Sequence, residues 1–270
     1  MHKGGRVPKN IATFEIPLKR KRQIAEETLE FTFGKPRDFQ YKAGQHVRLT
    51  IINPAETDAE GNSRFFSLVS TPSEPDLVFA MRMRDTAFKR ILGRLQPGDK
   101  VLMQMRLSNH QASFALHNPA EINRPAVFLI GGIGIVPAYS MVKDAIEKHL
   151  PYPIFLFYSN RRPEDASYLA ELTALAKQNP SLKLVATMTE PEKSTTSWKG
   201  EAGRIDQTML EKYVGDLQDP MYYIAGLPEM VGAMQTLLTS AGINKASVRA
   251  EEFSGFAMNH SEDAHEPAWK

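Results

Sequence analysis

The segment VFLIGGIGIVP, Val127 to Pro137, decides how the chain is read. Its first four residues are an unbroken apolar run, as expected of a strand buried on both faces. The run ends in Gly131 and Gly132, with Gly134 close behind, and Pro137 leads into a helical pattern over 138–150. Glycines let a backbone approach a diphosphate, a helix N-terminus attracts anions, and a proline in a first helical turn forfeits no hydrogen bond. The spacing is G-G-x-G-x-x-P, distinct from the G-x-G-x-x-G of the common dinucleotide fold. Alone, it also fits a tight strand–helix turn that holds nothing.

Downstream, apolar strands alternate with helices. IFLFYSN (154–160), LKLVATMT (182–189) and MYYIAGL (221–227) read as strands, and 163–178 and 228–242 as helices. Such alternation implies a parallel sheet covered on both faces, with ligands at the carboxyl ends of its strands. Two more strand ends carry suitable chemistry. In AGLPEM, Gly226 closes a strand and Pro228 opens a helix. In YSNRRPED, Ser159, Arg161 and Arg162 follow a strand directly, and a hydroxyl with guanidinium forks suits an extra phosphate. A carboxylate for a ribose diol would mark an NAD site instead, and here Glu164 and Asp165 read as a helix start. The bland reading of Arg161 and Arg162 is solvated surface.

Upstream, the texture is β. Short runs at 46–52, 65–70, 77–83 and 100–107 are separated by turn formers, which suggests a small antiparallel sandwich or barrel. One helical insert is predicted over 86–95, with Phe88, Ile91, Leu92 and Leu95 on one face. The polar, proline-bearing stretch 117–125 marks the boundary. The expected organisation is an antiparallel β-barrel domain at 10–118, a parallel α/β domain at 119–256, and a mobile polar tail at 257–270 containing Trp269. KRKR (19–22) reads as the solvated edge of a first strand, or as a docking patch for an acidic partner.

Composition narrows the classes. The chain has 270 residues, 42% hydrophobic and 24% charged, with net charge +2, consistent with two globular domains and no nucleic-acid partner. It has no cysteine, so thiolate metal sites, iron–sulfur clusters, disulfides and cysteine nucleophiles are excluded within it. No run of ~20 apolar residues predicts a membrane span, and the first residues lack the apolar core of a secretory signal. A cytoplasmic location is expected. The seven histidines show no H-x-x-x-H spacing and read as surface or packing residues, so no metal is expected.

In RFFS (64–67), an arginine, two aromatics and a serine share one predicted strand, the two rings pointing to opposite faces. Taken with FQYKAGQHVRL, GGIGIVP, AGLPEM and EEFSGF, in that order, this resembles the ferredoxin–NADP reductase superfamily of flavoproteins. The resemblance implies FAD and a nicotinamide nucleotide, NADP(H) in preference to NAD(H) given the two arginines. Arg64 would contact the FAD diphosphate, Phe66 would stack on the flavin beside Phe65, and Ser67 would sit near its hydride-accepting nitrogen. Met81, Arg82 and Met83 would wrap the flavin, with Thr86, Ala87 and Phe88 near its phosphates. Gly132, Gly134 and Pro137 would shape the nicotinamide pocket, with Gly226 and Met230 on its border. Ser159, Arg161 and Arg162 would hold the adenosine end. Glu252 and Phe253 would close the flavin from the C-terminal side, with Ser67 and Glu252 in catalytic roles.

Phe66 replaces the family's usual tyrosine, Val136 a frequent threonine and Ala225 a frequent cysteine, and Leu227 is an extra residue before the proline. The implied activity is hydride transfer between NAD(P)H and FAD, with single electrons passed to ferredoxin, flavodoxin or a small-molecule acceptor. The alternative is a flavin-binding subunit or oxygenase reductase component within a larger complex, with weak or no NAD(P)H activity of its own. A transferase using S-adenosylmethionine would also carry a glycine loop after its first strand, but the preceding β domain with RFFS argues against it.

Overall fold

The computed structural model describes residues 11–106 and 114–253. Two six-stranded sheets divide the chain between Arg106 and Ala126. The first is antiparallel and curled into a half-barrel. Its strands are β1 (Ile11–Ala25), β2 (Thr28–Gly34), β3 (His46–Ile51), β4 (Ser63–Ser67), β5 (Asp76–Arg82) and β6 (Lys100–Arg106), in the order β4-β3-β6-β1-β2-β5. Helix α1 (Ala87–Arg94) joins β5 to β6. The second sheet is parallel, in the order β10-β9-β8-β7-β11-β12. It comprises β7 (Ala126–Gly131), β8 (Ile154–Asn160), β9 (Leu182–Met188), β10 (Glu201–Ala202), β11 (Met221–Gly226) and β12 (Val248–Glu252). Its helices are α2 (Ile135–Glu147), α3 (Leu169–Gln178), α4 (Gln207–Val214) and α5 (Pro228–Ser240). The expected fold class holds.

Strand β7 explains its own sequence. Val127 and Leu129 face a core built with Met209 and Leu210 of α4 and Val231, Met234 and Leu238 of α5. Phe128 and Ile130 face the opposite core with Met141 and Val142 of α2. Burial on both sides removes the polar alternation of a half-exposed strand. The half-barrel has its own interior, where Phe31, Phe33, Leu49, Phe79 and Met103 are fully buried.

The halves share a seam. Ala43, Val69 and Ala80 of the barrel belong to the same apolar cluster as Ile130, Ile135 and Met141. Polar links reinforce it: Ser140 Oγ donates to the Ser70 carbonyl at 2.7 Å, and Tyr168 Oη to Glu30 Oε2 at 2.9 Å.

The run 19–22 lies in the second half of β1, where only β2 is paired; β6 pairs with residues 11–17, and Lys19, Arg20 and Arg22 are exposed, as a solvated edge requires. Its cations are engaged locally: Lys19 with Asp76, Arg20 with Thr32, Arg22 with Glu30, and Lys21 with the Gly93 and Leu95 carbonyls that end α1. Irregularities between Leu18 and Arg20 and between Gln23 and Ala25 interrupt the two-residue period that would have revealed the strand. One expectation, the start of the helix at 163, is corrected: the helix starts at Leu169, because Pro163–Asp165 form a 3-10 turn and Tyr168 adopts φ 60°. Residue 10, Leu107, 254–256 and the tail 257–270 with Trp269 lie outside the described residues.

Candidate functional site

The cleft is assembled from strand ends. After β7, Gly132 takes φ +53°, a left-handed conformation that favours glycine, and faces open space. Gly134 lies so close to β11 that a Cβ there would fall 2.4 Å from the Ala225 carbonyl oxygen. A Cβ on Gly131 would strike Met230 Sδ, and one on Gly226 would lie 2.8 Å from the same sulfur. The two glycine loops therefore meet, with Met230 between them. Pro137 is buried in the first turn of α2. No side chain caps α2 or α5, whereas Thr86 caps α1 and Asp206 caps α4. The positive end of α2 is thus left available to an anion above the glycine loop.

The barrel supplies the opposite wall. Arg64 and Phe66 share one face of β4: the guanidinium lies 5.4 Å from the Phe88 ring centre, and Phe66 stacks on Phe88 at 5.7 Å. Phe65 and Ser67 share the other face. Phe65 is exposed beside His46, and Ser67 is buried and donates to Glu251 Oε1 at 3.2 Å. Glu251 is registered against Ala225, and Phe253 N–H donates to the Gly226 carbonyl at 2.9 Å. Barrel serine, C-terminal acid and glycine loop therefore form one connected cluster.

Several expected residues are placed differently. The acid at Ser67 is Glu251; the side chain of Glu252, one residue on, is exposed, as strand alternation requires. Met81 is buried in the barrel interior, and the half-buried Met83 packs against it. Arg82 turns to Asp165 of the second domain at 3.5 Å. Arg162 is committed to Glu26 of the barrel and to Asp165 at 3.1 Å, while Arg161 remains 56% exposed with Asp165 at 3.5 Å. Ser159, the next-to-last residue of β8, is in register with Gly131. Thr86, Ala87 and Phe88 are buried at the start of α1.

The electrostatics single out residues that sequence reasoning missed. Burial pushes the Glu251 carboxyl up to about 7, opposed by the Ser67 hydrogen bond. His46, 4.0 Å from Glu251, is pushed down by burial. Burial and the neighbouring Arg84 and Arg64 bring Lys89 down to about 8. Burial works against the charge on Asp165, but Arg162, Arg161 and Arg82 outweigh it and lower its pKa. Among the described residues, four buried polar side-chain atoms lack a hydrogen-bond partner: Asp58 Oδ2, Asn160 Nδ2, Glu164 Oε2 and Glu251 Oε2. Asn160 ends β8, Glu164 lies in the 3-10 turn that follows it, and Glu251 is the penultimate residue of β12, held by Ser67, so three of the four lie at the carboxyl ends of parallel strands or just beyond. A cavity of about 510 Å³ opens elsewhere, at the sheet edge between α3 and β10, lined by Lys183, Trp198 and Tyr213 and by none of the residues expected from sequence.

Comparison with known proteins bears on the fold and on the parallel-sheet half. Residues 128–236 match the oxidoreductase NAD-binding domain family. The electron transfer component of xylene/toluene monooxygenase from Pseudomonas putida is 25% identical over 237 residues, 87% of this chain and 64% of that protein. Reductase component 1 of terephthalate 1,2-dioxygenase from a Comamonas species is 23% identical over 217 residues, 80% of this chain and 60% of that protein. The chain thus spans less than two thirds of the length of these relatives. The crystal structure of a ferredoxin NADP+ reductase from Neisseria gonorrhoeae with bound FAD and NADP shares the fold at TM-score 0.71 and 19% identity, covering 89% of this chain and 98% of that one. Residues 128–236 therefore resemble an oxidoreductase NAD-binding domain, and the chain as a whole has the fold of that ferredoxin NADP+ reductase.

Proposed function

We propose that this chain is a flavoprotein reductase that takes hydride from a nicotinamide nucleotide and delivers single electrons to a separate acceptor. The observation that carries the proposal is the junction of Ser67, Glu251, Ala225 and Gly134, which puts the barrel's RFFS strand and both glycine loops on one cleft. A flavin, when bound, accepts a hydride and gives up its electrons one at a time. The chain's own residues bind, orient and manage protons. Phe65 offers an exposed ring on the face of β4 that carries Ser67, the partnerless Glu251 Oε2 offers an acceptor beside Ser67, and the uncapped α2 with Gly132 offers a seat for a nucleotide diphosphate. Glu251, neutral or charged near pH 7, is a suitable proton reservoir.

Of the two guanidinium groups expected at the adenosine end, Arg162 is occupied and Arg161 has a carboxylate 3.5 Å away. An additional dianion gains little there, so NADH is the donor we favour over the NADPH expected from sequence. The relatives named above are an electron transfer component and a reductase component of oxygenases. With no cysteine in this chain, its electrons leave to an acceptor elsewhere, and a role as a reductase component fits that arrangement. The barrel unit at 10–118 would carry the flavin and the unit at 119–256 the nucleotide.

The test is anaerobic mixing of purified, FAD-supplemented protein with NADH and, separately, NADPH, following visible absorbance. Yellow protein bleached faster by NADH is the expected result. Yellow protein that neither nucleotide bleaches favours a non-catalytic electron-transfer role, and protein that takes up no flavin refutes the proposal.

A further inference from the structure

The segment between β3 and β4, residues 52–62, includes the acids Glu56, Asp58 and Glu60 at every second position. No residue in it is buried. Its ends are tied together, with Ile51 N–H donating to the Asn62 carbonyl and Asn62 Nδ2 to the Ile51 carbonyl, both at 2.9 Å. The lobe between them bends through Asn53 at φ 45° and Gly61 at φ 72°.

This lobe satisfies the arginine expected to hold the flavin diphosphate. Asp58 Oδ1 takes Arg64 Nη2 at 2.6 Å, and Glu60 Oε2 takes Arg64 Nε at 2.7 Å. Arg64 Nη1 donates to the Glu60, Gly61 and Ser63 carbonyls. Every guanidinium nitrogen is engaged, and the side chain is only 16% exposed. Glu56, two residues before Asp58, pairs with Arg90 of α1. Burial opposes the charge on Asp58, but Arg64 and the backbone N–H groups of Glu60 and of Phe88, in the first turn of α1, outweigh it. The other Asp58 oxygen is buried without a partner. The donors of Arg64 are thus already taken within the chain.

We infer that the 52–62 lobe is a displaceable internal anion, with Asp58 and Glu60 occupying the Arg64 guanidinium until a ligand diphosphate replaces them. This rests on the flavin reading above. Two carboxylates on one guanidinium do for it what a diphosphate would, and a bound diphosphate would be repelled by them at close range. The lobe is suited to leaving because charge pairing holds it against the barrel while no buried apolar side chain anchors it. Flavin affinity in this chain is then set by an exchange of anions, and removing the internal ones favours ligands that carry a diphosphate over those that do not.

The experiment compares riboflavin, FMN and FAD binding to flavin-stripped full-length protein by fluorescence quenching. The proteins are the wild type, Glu60→Gln and Asp58→Asn/Glu60→Gln. The expected result is FAD binding at least tenfold tighter in the double variant and intermediate in the single one, with riboflavin affinity unchanged. Riboflavin reports whether the ring pocket is intact, and the single variant changes only the half-exposed Glu60, outside the core. Riboflavin binding retained with FAD affinity unchanged or weakened overturns the role of the lobe alone. Failure of every form to take up any flavin overturns the flavin reading and this inference with it.

Discussion

Replacing Glu251 by Gln should make the stability of the protein less sensitive to alkali. A carboxyl whose pKa is higher in the folded than in the unfolded chain holds its proton more tightly when folded. Below 4.5 it is protonated in both states and nothing is lost; as pH rises through about 7 the fold must carry a desolvated charge. The interval from 4.5 to about 7 corresponds, at ~1.4 kcal/mol per unit, to ~3 kcal/mol of stability lost by the wild type above neutrality. The side chain is 19% exposed, so solvent screening is limited. Glutamine adds a cost for an amide facing Ser67, but that offset does not vary with pH. At ~2–4 °C per kcal/mol, the melting temperature of the variant minus that of the wild type should rise by roughly 6–12 °C between pH 4.5 and pH 8. Thermal melts of both proteins across that range decide the matter. A difference that stays constant, or shrinks as pH rises, refutes the assignment of a raised pKa to Glu251.

His117 behaves in the opposite sense. Its Nδ1 meets Tyr223 Oη and its Nε2 the Arg124 carbonyl, both at 2.9 Å, and burial lowers its pKa. The unfolded chain takes up this proton as pH falls through ~6.5, so stability should decline with acid there, and more gently in His117→Gln, as melts at pH 5.5–7.5 would show. Gly134→Ala should destabilise by about 1–3 kcal/mol because its methyl meets the Ala225 carbonyl. Gly232→Ala in α5, where a Cβ meets nothing within 4 Å, should stabilise by about 0.5–1 kcal/mol, and urea unfolding of the two variants should give opposite signs. For Arg162, Ala substitutions there and at Glu26, alone and together, should be non-additive in unfolding free energy; strict additivity would mean that the pair does not couple the two halves.

Legibility in the sequence followed the physics of each element. The glycine loop could be read because two constraints coincide there: a strand buried on both faces writes an unbroken apolar run, and a backbone pressed against Ala225 excludes side chains. RFFS could be read because strand alternation dictates that Arg64 and Phe66 share a face. The β1–β2 hairpin was hidden because β1 is irregular at two points and its outward residues are charged. The choice between Glu251 and Glu252 could not be made locally. It depends on how β12 registers against β11, and a slip of one residue exchanges the two faces. Arg162 looked available for a phosphate because its partner, Glu26, lies 136 positions away in the chain.

The apolar seam between the two sheets has a consequence for how this architecture can be altered. Ala43, Val69 and Ala80 close over Ile130, Ile135 and Met141, so the width of the gap between the RFFS strand and the glycine loops is set as the polypeptide folds, before any ligand arrives. Parting the halves would leave each with a water-averse flank. Recombination that exchanges one half for a foreign counterpart must therefore carry both banks of that seam, or rebuild them together.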